Sequence, residues 1–433
     1  MIVLRATILF YIFYGALLFV APLKNQYMDL LPGYILSCFI FFPIFLGVLS
    51  TQLITKKLGR NGGNNKIFHE FNHVFVLLES RLNLLMIFAF FSIPASLYAT
   101  NFYTGLNPVE LFLKVFLESK SSYNDYQSYF QENNLGAFSI SKLPAILSNT
   151  FVKLLVIVNF YILYMVDSVF TRKRFKLSLF LSLVSFVYFS IARGTSFEFF
   201  ELIALNLFLI LYSSNMTIKK FAFSKKFFKL IIFSIFCLLV YSFNISMRYS
   251  GGYVPGCHSA IFCYQENNML PDGIALILFK ISGYFVFGFY YLSQFINYVI
   301  YESGDFFVFL FTSMAVLDSQ VTSRFLCESH FDCQAMWSPS LETWSIDYGF
   351  LTTILLIYFF VLLATLTYRA RHVVGYFSVF VINYTIFLQF IAFPVGNFVG
   401  TSSATKLILL GSILFVFSKL IFHLLSRVKN NAR

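Results

Sequence analysis

Long apolar runs separated by short polar stretches dominate this chain and set its architecture before any single residue does. Runs near 4–21, 33–54, 76–99, 144–168, 177–192, 198–213, 230–247, 348–367, 373–393 and 404–425 come close to the roughly 20 helical residues that cross a hydrocarbon core of about 30 Å. Lipid offers no hydrogen bonds, so each run must satisfy its own backbone amides, which a helix does. The pattern predicts an all-α, polytopic transmembrane helical bundle of about 10 spans. Residues 1–247 hold the first seven spans, 248–347 form a large intervening segment, and 348–433 hold the last three. No small-x-small cleavage pattern follows the first run, which is read as a retained span.

Two stretches depart from this rhythm. Residues 101–143 are polar and open with an amphipathic surface helix, on which Val109, Phe112, Leu113 and Phe116 share a face. Within the large segment, 274–300 is apolar enough for a crossing, but its neighbour 306–317 is too short to return. An interfacial or re-entrant helical pair accommodates both. Along the first helix of that pair, Lys280, Tyr284, Tyr291 and Tyr298 fall on one face, with Gly283 and Gly288 permitting close packing. No internal repeat relates the two halves of the chain, which counts against a transporter built from repeats.

Composition excludes an ordinary soluble domain: 58% of residues are hydrophobic, 12% are charged, and the mean hydropathy is +0.76. The 60 phenylalanines suit lipid-facing positions and carry no functional signal of their own. The net charge of +12 sits in short clusters between spans, such as Lys56, Lys57, Arg60 and Lys66, or Arg172, Lys173, Arg174 and Lys176. These clusters do not interleave with stacking aromatics, so nucleic acid is not an expected partner. They form a positive-inside pattern that places the basic loops and both termini in the cytoplasm. Residues 248–347 run against it, with nine of the chain's 19 acidic residues and only Arg248, Lys280 and Arg324 as cations. That segment belongs on the opposite face.

Several residues there can carry chemistry. Cys257 and Cys263, and Cys327 and Cys333, form two C-x5-C pairs, which an oxidising compartment favours as disulfides. His258 and His330 lie inside the pairs, so a metal site or a histidine base is the alternative. Cys38 and Cys237 fall within spans as free thiols. Arg193 lies at the end of a span, where a charge is costly unless paired or hydrated. Together with Arg248, Lys280 and Arg324 it makes four cations near one face, a set suited to a multiply charged anion. Glu198 completes a Thr195-x-x-Glu198 capping box. Glu201, one turn deeper, pairs with Arg193 or another interior cation, or serves in catalysis. Trp337 and Trp344 are an interfacial belt or sugar-stacking platforms, and Asp347 is a base, an orienter of a hydroxyl, or an N-terminal cap of the next helix.

The chain resembles the Wzy-type O-antigen polymerases of the Gram-negative inner membrane. The likeness rests on Ser190-Ile-Ala-Arg-Gly-Thr-Ser-Phe-Glu198, on the aromatic stretch Gly283–Gly304, and on Trp344-Ser-Ile-Asp-Tyr-Gly349 leading into a late span. The resemblance implies a GT-C-like membrane glycosyltransferase acting on undecaprenyl-pyrophosphate-linked oligosaccharide, with no metal or other cofactor. It implies Arg193, Arg248, Lys280 and Arg324 at the pyrophosphate, and Tyr284, Tyr291, Trp337, Trp344 and Tyr348 at sugar or lipid. Asp347, His330, His258, Glu201 and Glu198 become candidates for the proton-transfer group. Implied partners are the lipid bilayer, a polysaccharide chain-length regulator and a flippase; a related ligase or a flippase are the alternative activities.

Overall fold

Every regular element among the described residues is a helix. The computed structural model describes residues 2–20, 27–57, 67–107, 109–110, 126, 128–129, 132–133, 139–166, 169, 172–193, 197–214, 225–248, 264, 271–302, 310–311, 339–396 and 402–431. Among the described residues seven stretches are long and apolar enough to cross a membrane, which makes this a multi-pass membrane protein: Ile2–Val20, Leu30–Ile54, Arg81–Thr104, Ile140–Met165, Lys173–Ala192, Phe350–Arg369 and Ser403–His423. The three other positions expected to span, near 198–213, 230–247 and 373–393, are also helical.

The helices are α1 (Ile2–Val20), α2 (Tyr27–Cys38), α3 (Phe41–Lys57), α4 (Ile67–Thr104), α5 (Leu143–Met165), α6 (Lys173–Ala192) and α7 (Phe197–Ser214). Then come α8 (Lys225–Arg248), α9 (Asp272–Phe285), α10 (Phe287–Asn297), α11 (Ser340–Tyr348), α12 (Phe350–Arg369), α13 (Tyr376–Ala392) and α14 (Ser403–Asn431). The run 33–54, expected as one helix, is two. Pro43 has no N–H to donate to the Phe39 carbonyl, so Phe42 takes that oxygen at 3.1 Å in a tighter turn, and the helix restarts at Phe41. Of the expected surface helix at 109–116 only residues 109–110 are described, and of 306–317 only 310–311.

Chain contacts divide the molecule into two units that cut across the three sequence segments. One comprises 62–253 with 403–411; the other comprises 1–61, 254–402 and 412–433. The first unit is held by a polar seam. Ser178, Ser182 and Ser185 lie along one side of α6, all buried, and small residues at that spacing let neighbouring backbones come close. Ser185 Oγ meets Ser92 Oγ of α4 at 2.9 Å, and Ser96 donates to the Ser185 carbonyl at 2.6 Å. Asn159 of α5 donates to Ser182 at 3.2 Å and accepts from Ser178 at 3.1 Å. Lipid is as apolar as the helices, so these bonds and close contacts do the work that the hydrophobic effect does in water.

The second unit is built around α13, in which every residue from Val379 to Leu388 is buried. Tyr14 of α1 donates to the Ile391 carbonyl at 2.6 Å, and Phe10 packs edge-on to Phe387. Helix α10 is buried from Phe287 to Ser293. The Gly33 amide of α2 donates to Ser293 of α10 at 2.8 Å. A Cβ at Gly33 would fall 1.8 Å from the Phe289 carbonyl oxygen, and one at Gly288 would fall 1.9 Å from that of Pro394. The expected single helix over 274–300 breaks at Val286, between α9 and α10. Lys280 and Tyr284 therefore sit on one helix, Tyr291 on the next, and Tyr298 begins a π-turn.

Backbone cannot yield as a side chain can. We expect Gly288→Ala to destabilise the purified protein by about 1–3 kcal/mol through overpacking. Thermal unfolding in detergent reads this, and an unchanged midpoint would contradict the close approach of α10 to Pro394.

Candidate active site

Two groups of polar side chains stand out from the apolar packing, one in each unit. In the first, Arg193 is the residue at which α6 ends. Its Nε donates to the Phe189 carbonyl one turn back, at 3.2 Å, and its Nη2 bonds Glu198 Oε1 from the first turn of α7. The guanidinium lies 3.9 Å from the Phe189 ring centroid and 6.0 Å from that of Tyr126. Burial alone would weaken its hold on the proton, but the Glu198 carboxylate, assisted by Tyr126, more than compensates and raises its pKa. The result is a fixed, permanently charged cation whose side chain keeps 17% of its surface accessible.

Glu198 thus serves Arg193. Thr195, the other half of the expected capping box, lies outside the described residues. Glu201, three residues along the same helix, meets a different cation: Lys153 Nζ of α5 stands 2.5 Å from its Oε1 and donates to Thr405 Oγ1 of α14 at 2.6 Å. Lys153 was not singled out by sequence. A single lysine in the middle of the apolar run 144–168 was the available signal, because intramembrane charges are costly and are kept for a reason.

In the second unit the polar residues gather on α11, a nine-residue helix leading into α12. Asp347 does not cap α12. That position belongs to Gly349, whose φ of +84° a side chain would strain. Asp347 is exposed, and partial burial pushes its carboxyl above the ordinary carboxylate range. Tyr348 is also exposed, while the Trp344 indole packs edge-on to Phe393, with ring centroids 5.1 Å apart. Tyr291, expected at sugar or lipid, is a core side chain with 1% of its surface accessible, in contact with Phe287 and Tyr290.

Glu342, on the same short helix, was also missed. It is 0% exposed, neither carboxyl oxygen has a hydrogen-bonding partner among the described residues, and burial raises its pKa to about 8. The Ser345 hydroxyl, on the same helix face, is buried and unpartnered in the same sense. Sequence offered only its place in the run from Trp337 to Gly349, since nothing local marks the carboxyl as buried.

The remaining candidates are not assembled by what is described. Arg248 ends α8 in the first unit, and Lys280 and Tyr284 lie in α9 of the second, each with only its backbone placed. Arg324, His258, His330, Trp337 and the cysteines Cys257, Cys263, Cys327 and Cys333 lie outside the described residues. Cys38 and Cys237 are free thiols. Among the described residues no group of three His, Cys, Asp or Glu side chains is placed to hold a metal ion. No family model, curated protein or solved structure matches the chain.

Proposed function

We propose that the protein is an inner-membrane glycosyltransferase that polymerises undecaprenyl-pyrophosphate-linked O-antigen repeat units at the periplasmic face. The growing glycan is the donor and a single lipid-linked unit is the acceptor. The acceptor's terminal hydroxyl attacks the anomeric carbon of the donor, and the bond from that carbon to the diphosphate oxygen breaks. Undecaprenyl pyrophosphate leaves with the bonding electrons, and a carboxylate takes the hydroxyl proton.

The observation that carries this reading is Arg193. Glycosyl transfer from a lipid diphosphate builds negative charge on the leaving group, and a fixed cation stabilises that charge without having to reorganise during the reaction. Arg193 is held at a helix end by Glu198, the Phe189 carbonyl and two aromatic rings, and part of it remains accessible. For the proton, Asp347 has the properties of an acceptor: it is exposed, and its raised pKa makes it a stronger base than an ordinary aspartate. The sequence-based roles of Arg248, Lys280 and Arg324 at the diphosphate, and of Trp344 and Tyr348 at sugar, belong to the same proposal. A polysaccharide chain-length regulator and a flippase belong to the proposal as accessory partners.

A strain lacking the protein tests the reading through the length of its surface polysaccharide. We expect one repeat per lipid core, restored to a long ladder by the wild-type chain. Long polymer left on its carrier would mean a ligase instead, and loss of all repeats with precursors trapped inside would mean a flippase.

A further inference from the structure

Glu342 is the most costly unexplained side chain in the described molecule. A carboxyl removed from water without hydrogen bonds is strongly disfavoured, and such a group in a folded protein calls for an explanation. Its surroundings narrow the choice. Ser345 follows it by three residues on α11, so the two share a helix face, and both are at most 1% exposed. Helix α11 is pinned where the Leu341 amide donates to the Phe393 carbonyl at 3.2 Å and Ser340 Oγ donates to the Gly396 carbonyl at 3.1 Å. One turn back along the chain from Phe393, the Gln389 side-chain nitrogen is a third buried polar atom with no partner among the described residues.

The unpartnered atoms are of both kinds. The carboxyl oxygens accept, the amide nitrogen donates, and the serine hydroxyl does either. A metal ion would satisfy acceptors only, and an anion donors only. A hydroxylated ligand satisfies both. We propose that Glu342 and Ser345, with the Gln389 amide, form a hydrogen-bonding subsite for a carbohydrate hydroxyl. This rests on the proposed glycosyltransferase activity and assigns it a glycan-binding residue.

Purified full-length protein in nanodiscs, titrated with free oligosaccharide released from the strain's surface polysaccharide by mild acid, tests the subsite without lipid or diphosphate. Isothermal titration calorimetry reads binding with both tryptophans intact. A saturable heat of binding is expected. Glu342→Leu should weaken binding at least tenfold, whereas Glu342→Gln, which keeps two hydrogen-bonding atoms, should weaken it by about threefold. Both should remain folded, since each removes a buried acid. Equal binding by the leucine variant and the parent would overturn the subsite, as would no binding by any of them. Binding that follows this order in a protein that never polymerises would support the subsite while sinking the transferase reading. Normal polymerisation by Glu342→Leu, with unchanged acceptor KM, would do the reverse.

Discussion

Arg193→Ala is expected to reduce polymerisation by at least about 10²–10³-fold, the usual cost of removing one preorganised group that stabilises transition-state charge. In cells this reads as polysaccharide one repeat long. The substitution also takes the guanidinium from Glu198, whose side chain is only 9% accessible, and loss of a counter-charge from a buried carboxylate is destabilising in its own right. Loss of activity in the single variant therefore mixes two causes. Arg193→Ala combined with Glu198→Gln separates them, because the amide needs no counter-charge. That double variant should be more stable than Arg193→Ala alone, because no buried charge loses its counter-charge, and still fail to polymerise. Arg193→Lys should retain some activity, since it keeps the charge but loses the planar fork that grips phosphate oxygens. Long polymer from the alanine variant would remove Arg193 from the diphosphate.

The second large effect is on stability. Lys153→Ala leaves Glu201 buried without its cation, and breaking such a pair costs about 3–5 kcal/mol. A lysine with 7% and a glutamate with 4% of their side-chain surface accessible have little water to fall back on. The variant should accumulate poorly and unfold at lower temperature in detergent. Lys153→Met combined with Glu201→Leu should recover most of the loss, because it removes both charges from the interior together. Wild-type stability of Lys153→Ala alone would show that water reaches the pair and that the charges do not hold α5 to α7. Recovery of polymer by the double variant is also expected, which separates this pair from Arg193.

Span positions were legible because length and apolarity act locally: a run long enough to cross lipid must be helical wherever it packs. The interruption at Phe39–Ile40 was legible in principle, since Pro43 marks the carbonyl it cannot pair with. The break at Val286 was not. Continuous apolarity over 274–300 looks the same whether it forms one helix or two, and Gly288 reveals its role only once the Pro394 carbonyl is set against it.

At the candidate site, the unusual placement of Arg193 could be read from a charge at the end of an apolar run. Its partner could not, because Thr195-x-x-Glu198 is also a good capping box and the sequence does not decide between the two uses of Glu198. For Asp347, the Gly349 two residues later held the answer, as a positive φ at the start of α12 takes the capping position from its neighbour. Glu342 lay hidden for a different reason. Its burial depends on α11 docking to Phe393 and Gly396, some 50 residues further along the chain, and pairing at that separation leaves no local pattern.

The most direct measurement is polymerisation by the purified protein in proteoliposomes supplied only with undecaprenyl-pyrophosphate-linked repeat units. Products resolved by length, with released undecaprenyl pyrophosphate counted alongside, should form a ladder in which each added unit liberates one carrier. The Arg193→Ala, Glu198→Gln protein should leave the single unit unchanged. A wild-type protein that moves the lipid-linked unit across the bilayer without extending it, or releases no carrier at all, would contradict the assignment.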